Sequence, residues 1–95
     1  MKILAIEKES PGVKPEDYLP HLEDEAKIVW QLYRKEFIRE IYFTDNPKRV
    51  VLILEAKNEK DAGEKLSGLP LIKNKLITFT LLPLHPYKGF ERLFK

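Results

Sequence analysis

Five consecutive aliphatic residues at positions 50–54 (VVLIL) constrain the fold of this chain more than any other feature. Successive side chains of a β-strand point to opposite faces of a sheet, so a run without polar residues predicts a strand that is apolar on both faces. Residues 3–6 (ILAI) and 77–82 (ITFTLL) show nearly the same pattern. The sequence therefore predicts a sheet of which both faces must be covered.

The other elements follow from changes in hydrophobic periodicity and from turn-forming residues. Residues 9–20 contain three prolines and a glycine, which predicts a loop with no helix before about Pro15. A second helix is expected to begin after a cap at Asn58 and to end at Gly68. Strands are predicted at residues 2–8, 37–44, 49–56 and 75–82, and the first helix at residues 21–36.

The predicted order is β-α-β-β-α-β, which is the ferredoxin-like α+β arrangement with a four-stranded antiparallel sheet. No repeat or linker divides the chain, so residues 1–95 are interpreted as a single domain. Residues 83–95 are expected to form an aromatic C-terminal tail that is neither helix nor strand, because two prolines and a glycine interrupt it.

The first helix is predicted from apolar residues at spacings of three and four. This apolar stripe is expected to pack on the sheet, with the charged residues of the helix in solvent. The stripe comprises Leu22, Ala26, Val29 and Tyr33, and Leu32 and Trp30 widen it.

The need to cover a second sheet face predicts a homodimer or a higher homo-oligomer. A chain of 95 residues buries only about 60–65% of its unfolded surface on its own. It has no cysteine, so no disulfide can reinforce the core. With two helices available as cover, the same sheet of a second copy is the expected partner. The alternative is a central strand pair with small exposed patches.

The charge pattern argues against nucleic acid as a partner. The 17 basic and 15 acidic residues are interspersed along the chain, whereas nucleic acid binding requires a patch or stripe of Lys and Arg. No apolar run approaches the length of about 18 residues needed to span a membrane. Residues 1–6 are too short and too charged for a signal peptide, and a cytoplasmic location is expected.

Polar residues within apolar strands are the first candidates for chemistry, because burial of an unpartnered charge is costly. Glu55 ends the aliphatic run, and Glu7 closes the first strand. Arg39 shares a predicted strand face with Phe37, Ile41 and Phe43. In a closed cavity, Arg39 would steady an anionic ligand and Glu55 would move a proton. The alternative is that each is a strand-end or edge residue that reaches solvent beside an opposite charge.

His85 and several aromatic residues complete the candidate site. His85 titrates near neutral pH and is a candidate general acid or base, although a tail histidine often only hydrogen-bonds to backbone. Trp30, Tyr33 and Tyr42 are candidates for the wall of a pocket that binds a flat ligand. At their spacings, aromatic residues also serve as core or interface.

The sequence contains no motif for a metal or a cofactor. His21 and Glu25 are one helical turn apart, but a lone pair of this kind is a weak metal signal. No Gly-rich phosphate loop, nucleophile elbow or paired-carboxylate motif is present. No cofactor and no metal are therefore expected.

Residues 66–71 (LSGLPL), followed by Thr80, Leu84 and the pair His85-Pro86, resemble the muconolactone isomerase family. Members of that family end the second helix with a similar Leu-Pro-Leu turn, enter the last strand and close on a His-Pro tail. The resemblance covers nearly the whole chain in element order. It implies the dimeric α/β-barrel superfamily, in which two sheets pack face to face, with higher oligomers in some members.

The resemblance implies a protein that binds a small molecule between sheet and helices. The expected chemistry is cofactor-free, isomerase-like proton transfer on a small, unsaturated, anionic ring. Arg39 would hold a carboxylate, and Glu55 or His85 would shuttle the proton. The expected pocket wall comprises Trp30, Tyr33 and Tyr42.

Two other functions remain open at this point. The first is a non-catalytic assembly or ligand-sensing module that uses the aromatic tail as its interface. The second is a cofactor-free monooxygenase of quinol-type substrates, because the same superfamily includes such enzymes. Fold alone does not choose among these functions.

Overall fold

A computed structural model describes residues 1–94 and shows one four-stranded antiparallel sheet. The strands are β1 (Lys2–Glu9), β2 (Ile38–Phe43), β3 (Val50–Glu55) and β4 (Ile77–Pro83), in the spatial order β2-β3-β1-β4. The helices are α1 (Pro15–Tyr18), α2 (Leu22–Arg34), α3 (Glu59–Leu66) and α4 (Pro70–Lys73). With α2 and α3 as the main helices, this is the predicted ferredoxin-like arrangement.

Two further segments are 3-10 helices, at Leu19–His21 and at Gly89–Phe94. The second corrects the prediction that the tail contains no helix. No proline follows Pro86, so the backbone there is free to turn, and the Glu91 N–H donates to the Lys88 carbonyl at 3.1 Å. No helix in residues 1–94 has the length and apolar character required to cross a membrane.

The start of α3 confirms the predicted cap. Asn58 accepts a hydrogen bond from the Asp61 N–H at 2.8 Å, and Asp61 Oδ2 accepts one from the Lys57 N–H at 3.0 Å. The first bond satisfies a backbone donor that the helix start leaves free, and the second ties the residue before the cap to the first turn. Ala62 and Leu66 are buried, as the sequence predicted, so the cap orients α3 with its apolar side toward the sheet.

The core lies on one face of the sheet only. Alternate residues of the strands point toward α3 and the segment that follows it, and they are almost completely buried. The largest fully buried side chains are Ile3, Ile38, Leu52, Leu54, Leu69 and Ile77.

The opposite face, called the outer face below, carries apolar side chains as the sequence predicted, and these are only partly buried. Strand register places them beside one another across β1, β3 and β4. Contacts within residues 1–94 do not bury any of these side chains completely. The outer-face apolar residues are Leu4, Ile6, Val51, Ile53 and Leu82.

Helix α2 docks differently from the predicted stripe, because none of its residues is buried. Leu22, Trp30 and Tyr33 are exposed, and the residues packed against the core are Ile28, Val29 and Leu32. Periodicity predicts the apolar arc of a helix, but contacts with other elements decide which part of the arc meets the sheet. As a result, α2 stands away from the sheet along part of its length.

Candidate functional site

A cavity of about 730 Å³ lies between α2 and the helix-facing side of the sheet. Leu52, Ile77 and Phe79 from the sheet and Leu22 and Val29 from α2 form apolar parts of its wall. Cavities of about 300–1,000 Å³ with mostly apolar walls and few polar groups are typical of small-molecule sites.

Three glutamates line this cavity. Glu7 and Glu9 lie on β1 in phase with the buried Ile3 and Ala5, so they project from the same side of the strand. Glu25 reaches the cavity from α2. An apolar cavity with several carboxylates is unusual for a purely structural core, because each charge loses solvation there.

Each glutamate has one identified hydrogen-bond donor. The Val50 N–H donates to Glu7 Oε1 at 3.0 Å, and the Leu71 N–H donates to Glu25 Oε1 at 3.0 Å. Glu9 accepts from the hydroxyl of Tyr18, the last residue of α1. In each case the contact uses a single carboxylate oxygen, so the second oxygen has no such partner in residues 1–94.

Burial raises the pKa of the Glu25 carboxyl above its usual value of 4.5. The Leu71 N–H opposes this shift by stabilising the charged form, whereas the charge of Glu7 adds to it and that of His21 opposes it. A carboxyl of raised pKa in a cavity is a candidate acid or base.

Tyr18 stays protonated at neutral pH and can act as a hydrogen-bond donor. Burial raises the pKa of its phenol, and the hydrogen bond to Glu9 and the charges of Glu9 and Glu7 raise it further. Arg49 partly opposes the shift. The Tyr18 hydroxyl therefore holds Glu9 at the side of the cavity nearest α1.

Two cations from the β2–β3 hairpin also line the cavity, namely Lys48 and Arg49. Lys48 Nζ lies 4.3 Å from the ring centroid of Phe43, and Arg49 Nη1 donates to the Lys48 carbonyl at 3.0 Å. Neither cation belongs to the ion pairs found among residues 1–94.

A second, shallower groove of about 480 Å³ brings together four of the six residues predicted from sequence. Trp30 and Tyr33 stack with their ring centroids 6.0 Å apart, beside Arg39 and Tyr42. Arg39 Nε donates to the Glu36 carbonyl at 2.8 Å. This groove lies between α2 and the edge strand β2.

A β-bulge explains why Arg39 lies in the groove and not in the core. The pairing of β2 with β3 shifts between Ile38 and Glu40, so Arg39 is the additional residue. Ile38 consequently faces the core and is buried, whereas Arg39 is exposed. The simple alternation used to place Arg39 on one face with Ile41 is interrupted at this point.

The remaining two predicted residues lie away from both concavities. Glu55 accepts a hydrogen bond from the Met1 amino group at 2.6 Å, and this contact is the main reason that its pKa is lowered. His85 is exposed in the tail, in a depression formed by tail residues. The structure thus separates Arg39, Glu55 and His85, and their catalytic roles stay predictions.

None of the six predicted residues lines the larger cavity, although it lies between sheet and helices as expected. The sequence singled out Glu7 only as the polar end of the first strand. Glu9 could have been found with it, because the two acids continue the core-facing phase of Ile3 in β1. Tyr18 gives no comparable signal, because only the path of the chain between β1 and α2 brings it to Glu9.

Within residues 1–94, no three side chains of His, Asp or Glu are grouped so that they could hold a metal ion. The glutamates of the cavity therefore do not converge on one point.

Fold and cavity together define a ferredoxin-like α+β domain with a concave site of small-molecule size. A solved structure with this fold is 5-chloro-2-hydroxyhydroquinone dehydrochlorinase from Burkholderia phenoliruptrix in complex with 2,5-dihydroxybenzoquinone. The similarity has a TM-score of 0.72 with 17% sequence identity, and it covers 94% of this chain and 98% of the dehydrochlorinase. At this identity the similarity shows a shared fold.

No family model matches the sequence, and no curated protein sequence matches it. The structural similarity supports the fold implied by the resemblance to the dimeric α/β-barrel superfamily. It does not place the chain in the muconolactone isomerase family within that superfamily.

Proposed function

We propose that this protein binds a small unsaturated ring in the cavity between α2 and the sheet and moves a proton on it without a cofactor. The observation that carries the proposal is Glu25, a carboxyl with a raised pKa on the wall of an otherwise largely apolar cavity of about 730 Å³. General acid–base catalysis needs such a group within reach of the substrate.

The geometry of Glu25 suits a proton shuttle. The Leu71 N–H holds Oε1, so the carboxyl is oriented while Oε2 is left for a ligand. In the proposed step, the carboxylate takes a proton from one ring position as the adjacent double bond shifts. It then returns the proton to another position of the ring. Atoms and electrons balance within the substrate, so the product is an isomer and no oxidant is needed.

The comparisons support a ring as the ligand. The dehydrochlorinase of similar fold was solved with a dihydroxybenzoquinone bound, and the sequence resembles isomerases that act on a small unsaturated lactone. A monooxygenase of quinol-type substrates is the related alternative, because it would use the same kind of ring. The uptake of oxygen distinguishes the two chemistries.

Proton exchange into the ligand tests the proposal. A thermal-shift screen of unsaturated lactones, dicarboxylates, quinols and quinones would identify a ligand. A ligand at about one hundred times its dissociation constant stabilises the fold by roughly 2.7 kcal/mol. NMR in deuterated water then follows exchange at its ring positions. Oxygen consumption in the presence of a quinol would point instead to the monooxygenase.

Two variants locate the site in that assay. Glu25→Gln should lower the exchange rate by about 10²–10⁴-fold, and Arg39→Ala, in the second groove, should leave it unchanged. The opposite pattern would move the chemistry to the groove with Trp30, Tyr33 and Tyr42, as the sequence first suggested. Exchange that persists in both variants contradicts both assignments.

We also propose that two copies associate through their outer faces. Val51 and Ile53 on the central strand β3, with Leu4 and Ile6 on β1, form an apolar surface that residues 1–94 leave only half-buried. A short chain without disulfides gains stability by covering such a surface. A second copy offers the same surface, which suits a two-fold symmetric contact.

The tail supports a second candidate function, a non-catalytic assembly module. Leu93 and Phe94 are 75% and 83% exposed, although both are strongly apolar. The radius of gyration is 15.5 Å, above the roughly 12 Å expected for a compact domain of this length. Paired Leu93→Ser and Phe94→Ser substitutions should reduce the oligomer size if the tail forms contacts. Loss of the oligomer with no ligand found in the screen would favour this function.

A further inference from the structure

We propose that the cavity selects uncharged rings that carry hydroxyl groups, and that Glu7 and Glu9 exclude rings that carry a carboxylate. This inference rests on the proposed function and deepens it, because it names the class of substrate. It differs from the anionic ring implied by the sequence resemblance. The residues that determine the specificity lie on β1, whereas Glu25 lies on α2.

The hydrogen-bonding capacity of the cavity supports ligands that donate. Glu7, Glu9 and Glu25 are acceptors when ionised, and each uses one oxygen on a protein donor. The other oxygen of each remains available. A ring hydroxyl can donate to such an oxygen, whereas a ligand carboxylate can only accept and would leave it unsatisfied.

The charges in the cavity disfavour an anion. Three carboxylates face two cations, Lys48 and Arg49, so the balance is negative when all are ionised. Lys48 is exposed and lies over the Phe43 ring, so solvent screens it. Glu7, Glu9 and Glu25 are each half-buried beside apolar walls, where like charges repel more strongly than in water.

The same repulsion acts between two of the glutamates of the cavity. Burial is the largest cause that raises the pKa of Glu25, and the charge of Glu7 raises it further. A ligand carboxylate placed between β1 and α2 would meet the same field. Glu7 cannot easily turn away, because its Oε1 accepts the Val50 N–H at 3.0 Å and so anchors it to β3.

The apolar walls explain why the donors should be carried on a ring. Phe79 and Ile77 from β4 and Val29 from α2 provide flat and branched surfaces, which bury an unsaturated ring favourably. A small sugar or polyol would satisfy the carboxylates but would leave these walls without an apolar partner. Specificity therefore comes from the walls and the carboxylates together.

Binding measurements with matched probes test the selection without requiring turnover. The pair para-hydroxybenzamide and para-hydroxybenzoate differ in charge and hardly in shape. Hydroquinone and its dimethyl ether differ in their capacity to donate. Titration calorimetry should show the amide and hydroquinone binding at least about tenfold more tightly than their counterparts. The benzoate would meet like charges, and the dimethyl ether has no hydroxyl to donate to the carboxylate oxygens.

Two variants of the full chain test whether Glu7 causes the weaker binding of the charged probe. Glu7→Gln keeps an acceptor for the Val50 N–H but removes the charge. It should reduce the ratio of the affinities for para-hydroxybenzamide and para-hydroxybenzoate severalfold. Glu40→Gln is the matched control, because Glu40 lies on β2 outside the cavity, hydrogen-bonded to the Tyr42 hydroxyl at 2.7 Å. Glu40→Gln should leave the ratio of the two affinities unchanged.

The outcomes separate this inference from the proposed function. Equal affinities for para-hydroxybenzamide and para-hydroxybenzoate, or an unchanged affinity ratio in Glu7→Gln, would overturn the proposed selection of uncharged rings. This holds even where proton exchange is observed. The expected selectivity without any exchange upholds the selection and contradicts the proton transfer. No binding of any of the four probes at millimolar concentration overturns it as well.

Discussion

The Leu71 N–H donates a hydrogen bond to Oε1 of Glu25 over 3.0 Å, between residues 46 positions apart in the chain. Leu71 follows Pro70, the first residue of α4, so Glu25 also satisfies one free donor at the start of that helix. This contact joins α2 to α4 and holds a carboxyl of raised pKa on the cavity wall. The Glu25 side chain therefore has a structural role, in joining α2 to α4, and a proposed chemical role in proton transfer. Variants are needed that remove one role and keep the other.

Replacing Glu25 by glutamine should remove catalysis and preserve the fold. The amide oxygen of Gln can still accept the Leu71 N–H, but the side chain can no longer take a proton. General acid–base groups contribute about 10²–10⁴-fold to rate, so exchange of the identified ligand should fall by that factor. NMR exchange rates measure the effect, with Glu25→Ala as the comparison that also loses the hydrogen bond. A Glu25→Gln variant that melts as low as Glu25→Ala would contradict the separation of roles.

The stability of the protein should depend on pH through Glu25. Burial is the largest cause that raises the folded-state pKa of this carboxyl above 4.5. The folded state then binds the proton more tightly than the unfolded state, so stability falls as pH rises from about 4.5 through the folded pKa. The melting temperature of Glu25→Gln should exceed that of the wild type at neutral pH, and the difference should shrink toward pH 4. A constant difference across this range would show that Glu25 has an ordinary pKa.

The cap of α3 should contribute measurably to stability. Asn58→Ala removes the acceptor for the Asp61 N–H and should cost about 1 kcal/mol. For a domain of this size that corresponds to a melting temperature lower by about 4–8 °C. Asn58→Asp is the control, because it keeps an oxygen acceptor at the same place. Calorimetric scans of the three proteins make the comparison, and equal losses in both variants would mean that the hydrogen bond is not the cause.

A charge on the outer face should dissociate the proposed oligomer. Ile53→Lys places a cation at the centre of that face, on β3, where a second copy would have to desolvate it. Lys60→Glu, on the exposed side of α3, changes charge without touching the face. Light scattering coupled to size exclusion should show monomers for Ile53→Lys and unchanged oligomers for Lys60→Glu. A wild-type protein that elutes as a monomer at high micromolar concentration would rule out this association.

Much of the fold was predictable because its signals are local. The Asn58 cap depends on bonds between residues three and four positions apart, and the aliphatic run of residues 50–54 marks a central strand with two apolar faces. The candidate site was predictable only in part. Four of the six predicted residues do meet in a groove, but the larger cavity is lined by others, and the bulge at Arg39 could not be read from alternation.

The sequence by itself determined the order of the elements, the two apolar faces of the sheet and the pattern of polar and apolar residues along each strand. These features follow from periodicities of two and about 3.6 residues along the chain. The tertiary structure decided how α2 is rotated over the sheet and therefore that a cavity exists. It also decided that Glu25 meets Leu71 and that Tyr18 meets Glu9. Such contacts depend on how distant segments dock against one another, and docking is set by the packing of the whole domain.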